Sequence, residues 1–123
     1  MGLLKQPPTP EELEQQKRYE ASKIRLMELH KTSKTIFYID DITTEPTSHQ
    51  QILIGEMGIG QLQPGDILEI YSCEGLPIGT MTVDKWEEQA ERHAIIGNIN
   101  RILCYPKETW DGYVPGQLLA KCK

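Results

Sequence analysis

An all-β fold, built as a small closed antiparallel β-barrel of six or seven strands with one amino-terminal α-helix, is the architecture this sequence predicts. Three observations predict it. From Thr35 onward, short runs alternate apolar and polar residues between turns rich in Gly and Pro, as strands of a barrel or sandwich do. A Pro-Gly turn followed by a strand occurs twice, in QPGDILEIY from Gln63 and in VPGQLLAKCK from Val114. Ahead of both, a helix start signal opens a long stretch free of Gly and Pro.

The helix comes first. Thr9 suits the cap, Pro10 the first helical position, and Glu12 stands three residues after Thr9 to complete a capping box. The run EELEQQKRYEASKIRLMELHK then predicts a helix from about residue 10 to about residue 30. Its apolar residues crowd into the second half, where Ala21, Ile24 and Met27 form one stripe that Leu26 and Leu29 widen. That half is expected to dock, on the chain's own barrel or on a second copy, with Ile24 and Met27 as contact residues. The polar first half is expected to project. Residues 1–34 thus read as an extension bearing the helix, with residues 35–123 as the barrel.

The strands follow in order. TIFYIDDI, Thr35 to Ile42, is β-branched and aromatic with period-two alternation. EPTSH is turn composition, and QQILIGEM resumes an apolar strand before Gly58 and Gly60. In Gln63-Pro64-Gly65-Asp66, Pro presets φ and Gly accepts a positive φ, as a type II turn requires. DILEIY and GLPIGTMTV give two further strands. Asp84 with Glu87 reads as a second capping box, which makes KWEEQAERH a short helix between strands. AIIGNINRILCY returns to strand, and the second Pro-Gly phrase delivers the last one. Both Pro-Gly pairs are expected to build turns and not to bind a ligand.

At 123 residues the chain has room for one core. Charged residues make up 25% and the hydrophobic set 38%, a composition that is neither disordered nor membrane-spanning. With no apolar span and no signal-peptide block, a cytoplasmic protein is expected, without a membrane role. Charge is uneven: residues 1–34 carry seven Lys/Arg against five Glu, whereas residues 35–123 carry six Lys/Arg against thirteen Asp/Glu. An acidic body argues against sequence-independent nucleic-acid binding, which rests on phosphate neutralisation.

No metal or cofactor site is written in the spacing. Cys73, Cys104 and Cys122 form no CxxC or Cys-His pattern and read as free thiols. Glu87, Glu88 and Glu91 read as a solvated helix face, and Asp40 and Asp41, as strand neighbours, point to opposite faces. Cys73 or Cys104 beside His93 is the one thiolate-and-base pairing to weigh, and nothing local supports it. The chain is therefore expected not to be an enzyme. Trp86, Trp110 and Tyr113 flank turns and are nominated as a contact patch, against the alternative that they plug the barrel ends.

Several phrases in register carry a resemblance. FYIDDI, ILIGEMGIGQLQPGDILEIY, AIIGNINRILCY and VPGQLLAKC together resemble the second, β-barrel domain of bacterial-type translation GTPases such as elongation factor Tu. The resemblance spans about residues 35–123 and leaves the helix outside. It implies a translation-factor barrel standing alone. No GxxxxGK[ST] occurs, so no GTP is expected. The family's tRNA-binding members place Arg after the Gly that Gly55 resembles, where this chain has Glu56, so that role does not carry over. The function expected is a non-catalytic interaction module that holds a protein partner or copies of itself. The alternative is an RNA- or ribosome-associated, translation-related module.

Overall fold

A computed structural model describes residues 9–93 and 97–123, with side chains for 9–90 and 100–123. The order of elements is α1 (Pro10–Thr32), β1 (Ser33–Thr44), β2 (Gln51–Ile59), β3 (Ile67–Tyr71), β4 (Pro77–His93), β5 (Gly97–Pro106) and β6 (Leu118–Cys122). The protein is thus mostly β with one amino-terminal helix. Among the described residues six strands are antiparallel, and their ladders close a ring in the order β1-β2-β5-β4-β3-β6. No described helix is long and apolar enough to cross a membrane.

Local signals explain the first helix and both Pro-Gly turns. Thr9 accepts the Glu12 amide at 3.2 Å, and the Glu12 carboxylate accepts the Thr9 amide at 3.3 Å, so two orphan donors of the first turn are satisfied reciprocally. Gly65 and Gly116 hold φ of +88° and +96°. In each turn the amide three residues on reaches back, Asp66 to Gln63 at 3.1 Å and Gln117 to Val114 at 3.4 Å. These are the type II turns that the repeated phrase predicts. The first is tied to the last strand by an ion pair, Lys121 Nζ to Asp66 Oδ1 at 2.9 Å, and this hydrogen bond holds the Asp66 carboxyl below its usual range.

Two apolar clusters divide the labour. Phe37, Ile39, Leu53, Leu68, Val83 and Leu119, with Cys104 and Tyr113, fill the interior of the ring. Outside the ring, Leu29 of α1 packs with Ile36, Leu118 and Ala120, and Leu26, Tyr38 and Tyr71 extend that contact. The carboxyl half of α1 therefore docks on the chain's own β1 and β6. Arg25 Nε fixes the helix further by donating to the Glu74 carbonyl at 2.9 Å. His30 bonds on both sides: Nδ1 lies 2.6 Å from the Leu26 carbonyl and Nε2 bonds the Tyr38 hydroxyl. A carbonyl only accepts, so Nδ1 donates to it, and Nε2 shares a hydrogen bond with the Tyr38 hydroxyl.

Of the expected stripe, Leu26 and Leu29 make the contact with the chain's own strands, while Ile24 and Met27 do not join it. Ile24 and Met27 are 64% and 55% exposed, whereas Leu29 is 7% exposed. Residues 10–20 are exposed on every side, as the polar composition of that half requires.

A larger correction concerns KWEEQAERH, which is strand and not helix: it lies within β4, paired to β5 from Lys85↔Tyr105 to His93↔Gly97. Asp84 caps nothing. Strong helix formers are overridden here because each residue has a cross-strand partner, and such pairs, not intrinsic preference, decide strand formation. Glu87 and Glu88 consequently alternate and share no face. The expected strand residues 94–96 and the segment MGLLKQPP lie outside the described residues.

Candidate partner-binding cleft

Tyr38 sits where two glycines leave room for it. A Cβ on Gly55 would lie 1.7 Å from the Tyr38 carbonyl oxygen, and one on Gly58 would lie 2.4 Å from the Tyr38 ring. Register shifts between Ile36 and Phe37 and between Ile39 and Asp41 mark bulges in the same ladder. Bulges bend and twist strands. The β1–β2 pair curls around Tyr38, and β2 leaves β5 after only three paired positions, Leu53↔Cys104, Ile54↔Leu103 and Gly55↔Ile102.

Both strands continue past that point. β2 runs on to Ile59, while β5 stays with β4 down to Gly97. The distal β4–β5 ribbon and the end of β2 therefore diverge, and a cleft of about 420 Å³ opens between them. Its floor is apolar, with Met57 from β2, Leu62 from the following loop, Trp86 from β4 and Ile102 from β5. Met57, Trp86 and Ile102 are partly buried against the interior cluster, and Leu62 belongs to it. The lip is polar: Glu56, Gln61, Glu88 and Asn100. Among the described residues, both charged groups lining the cleft are carboxylates, and none is Lys or Arg.

The nominated aromatic residues fall in two places. Trp110 and Tyr113 meet edge to face, with ring centroids 4.9 Å apart. They line a second cavity of about 300 Å³ with Ile70, Ile78 and Lys107. Gln51 pins the Trp110 backbone by accepting its amide at 3.0 Å and donating to its carbonyl at 2.8 Å. Tyr113 is only 7% exposed, and burial, with the neighbouring Cys104 thiol as a second cause, pushes its hydroxyl up to about 12. Trp86 lines the first cavity alone of the three. Ile24 and Met27 lie on the exposed part of α1, away from both.

The chemistry-bearing groups are scattered. Cys104 is fully buried, and burial pushes its thiol up to about 12, so it is a neutral packing group near pH 7. Cys73 and Cys122 are exposed. The His93 side chain lies outside the described residues. Among the described residues no three His, Cys, Asp or Glu side chains gather as a metal site. Asp40 and Asp41 are both exposed at the bulge, where Asp41 accepts the Ile42 amide at 2.8 Å.

Sequence reading passed over Met57, Leu62, Asn100 and Ile102 and set Glu88 aside as part of a solvated helix face; with Trp86 these residues make the cleft. Gly55 and Gly58 inside a strand were the available signal, since a strand glycine marks a bulge or a close approach. No protein-family model matches the chain, and no curated protein matches it.

Proposed function

We propose that this chain is a non-catalytic binding module of the cytoplasm, a barrel of the translation-factor second-domain kind working without a GTPase domain, and that its cleft holds a protein partner. One observation carries the reading: β2 and β5 part over an apolar floor of Met57, Leu62, Trp86 and Ile102 instead of completing their ladder. A concave apolar floor with a few convergent polar groups is the common form of a binding site, and a large aromatic residue such as Trp86 is the common anchor of a protein contact. The paired carboxylates of the lip oppose a phosphate backbone, which supports a protein occupant over RNA. The buried, neutral Cys104 supports the absence of thiol catalysis. The likeness to the translation-factor barrel is carried by the order of the sequence phrases, and one fold serves many functions.

A photo-crosslinking residue placed at Gln61 tests the reading, with one at Thr43, which lines neither cavity, as control. Irradiation in the native cell extract should give a discrete protein adduct from position 61 only. Trp86→Ala should cut its yield at least tenfold while circular dichroism stays unchanged. Adducts to nucleic acid alone, or equal adducts from both positions, would overturn it.

A further inference from the structure

We infer that the cleft takes an extended segment of alternating basic and apolar residues, which adds a strand to the outer edge of β2. This rests on the protein-binding reading and names the partner's chemistry. Beyond Gly55↔Ile102, Glu56, Met57 and Ile59 pair with β1 on one side, Gly58 falling at a register shift, and residues 56–59 pair with no described strand on the other. An edge of that kind is a template for a further strand, with main-chain hydrogen bonds giving affinity and alternate side chains giving specificity.

The length follows from the edge. Four residues at roughly 3.3 Å each span about 13 Å, so the recognised core of the segment is about four residues. Side chains of an added strand alternate between faces. Those turned inward meet Met57, Trp86 and Ile102, which selects apolar residues. Those turned the other way meet Glu56, which alternates with Met57, while Glu88, paired to Ile102 and on the Trp86 side, adds a second carboxylate at the mouth; no Lys or Arg is among the described lining residues, which selects Lys or Arg opposite Glu56. A nucleic acid brings the wrong charge, and an acidic peptide is repelled by the same two carboxylates.

The probe is an acetylated, amidated octapeptide of alternating lysine and valine, titrated into the isotope-labelled full chain and followed by NMR. Shifts should cluster at the amides of residues 56–60 and at the Trp86 indole. The double substitution Glu56→Gln and Glu88→Gln, at two exposed positions, should weaken binding at least tenfold with the amide spectrum otherwise intact. Methylating alternate peptide nitrogens should abolish the effect. The inference is overturned if no localised shift appears, if the methylated peptide binds equally, or if a glutamate-valine octapeptide binds equally. Should the probe fail while the Gln61 protein adduct persists, strand addition falls and the protein-binding reading stands. If a short oligoribonucleotide shifts the same amides instead, both fall.

Discussion

Replacing Gly65 by alanine isolates what the repeated Pro-Gly phrase does. At Gly65, φ is +88°, and a Cβ there would meet nothing within 4 Å. Space is therefore no obstacle, and the whole effect is conformational. Holding an L-residue in the left-handed region costs roughly 1–2 kcal/mol, and the lower entropy of the unfolded alanine chain offsets about 0.4–1 of that. A net loss of about 1 kcal/mol follows. Gly116, at φ +96° with its nearest neighbour the Cys73 Cβ at 3.7 Å, should behave alike, and the two losses should add to about 2 kcal/mol if the turns are independent. Gly55 is the counter-case. Its difficulty is space, since a Cβ would lie 1.7 Å from the Tyr38 carbonyl oxygen, and forcing the backbones apart should cost about 3 kcal/mol or more. Urea unfolding reads each value from the midpoint at constant slope. D-alanine at position 65, introduced by chemical ligation, should restore glycine-like stability, because it prefers positive φ. An unchanged midpoint for Gly65→Ala, or a D-alanine protein as unstable as the L-form, would refute the reasoning.

The helix contact gives a second test: Leu29→Ala should cost about 2–3 kcal/mol as a buried leucine truncation, while Ile24→Ala, at an exposed position, should stay within about 0.5 kcal/mol, both by chemical denaturation. A thiol reagent at pH 8 should titrate Cys73 and Cys122 in the native protein, with Cys104 reacting only on unfolding; fast reaction of all three would contradict its burial. The Asp66 carboxyl is depressed in the folded state by its hydrogen bond to Lys121, so its contribution is present above the unfolded carboxyl pKa and is lost as pH falls through the folded one. Asp66→Asn should accordingly lose about 0.5–1 kcal/mol at pH 7 and show a shallower loss than wild type below about pH 4, measured as midpoints across a pH series.

What the sequence disclosed was local. The Thr9–Glu12 box and the two Pro-Gly turns are decided by residues within three or four positions, so they read correctly from the chain alone. KWEEQAERH misled for the converse reason: its helix-forming residues are strand because Lys85 through Glu88 pair with residues 102–105, partners that no local window contains. The docking of the second half of α1 was legible from its crowded apolar residues, but spacing did not tell which of them the surface of β1 and β6 would take: it takes Leu26 and Leu29 and leaves Ile24 and Met27 exposed. The cleft was the least legible feature, since the parting of β2 from β5 arises from how Tyr38 packs against Gly55 and Gly58 across two strands.

The place of β6 in the ring bears on how the chain emerges from the ribosome. β6 follows all other strands in order, yet it alone joins β1 to β3. Until it is synthesised, both of those borders stand unpaired, and Phe37 and Leu68 have no roof from Leu119. Such a half-built cylinder offers sticky rims to other nascent chains. Swift arrival of Leu118–Cys122, or a chaperone that shelters the seam, then governs the yield of folded protein.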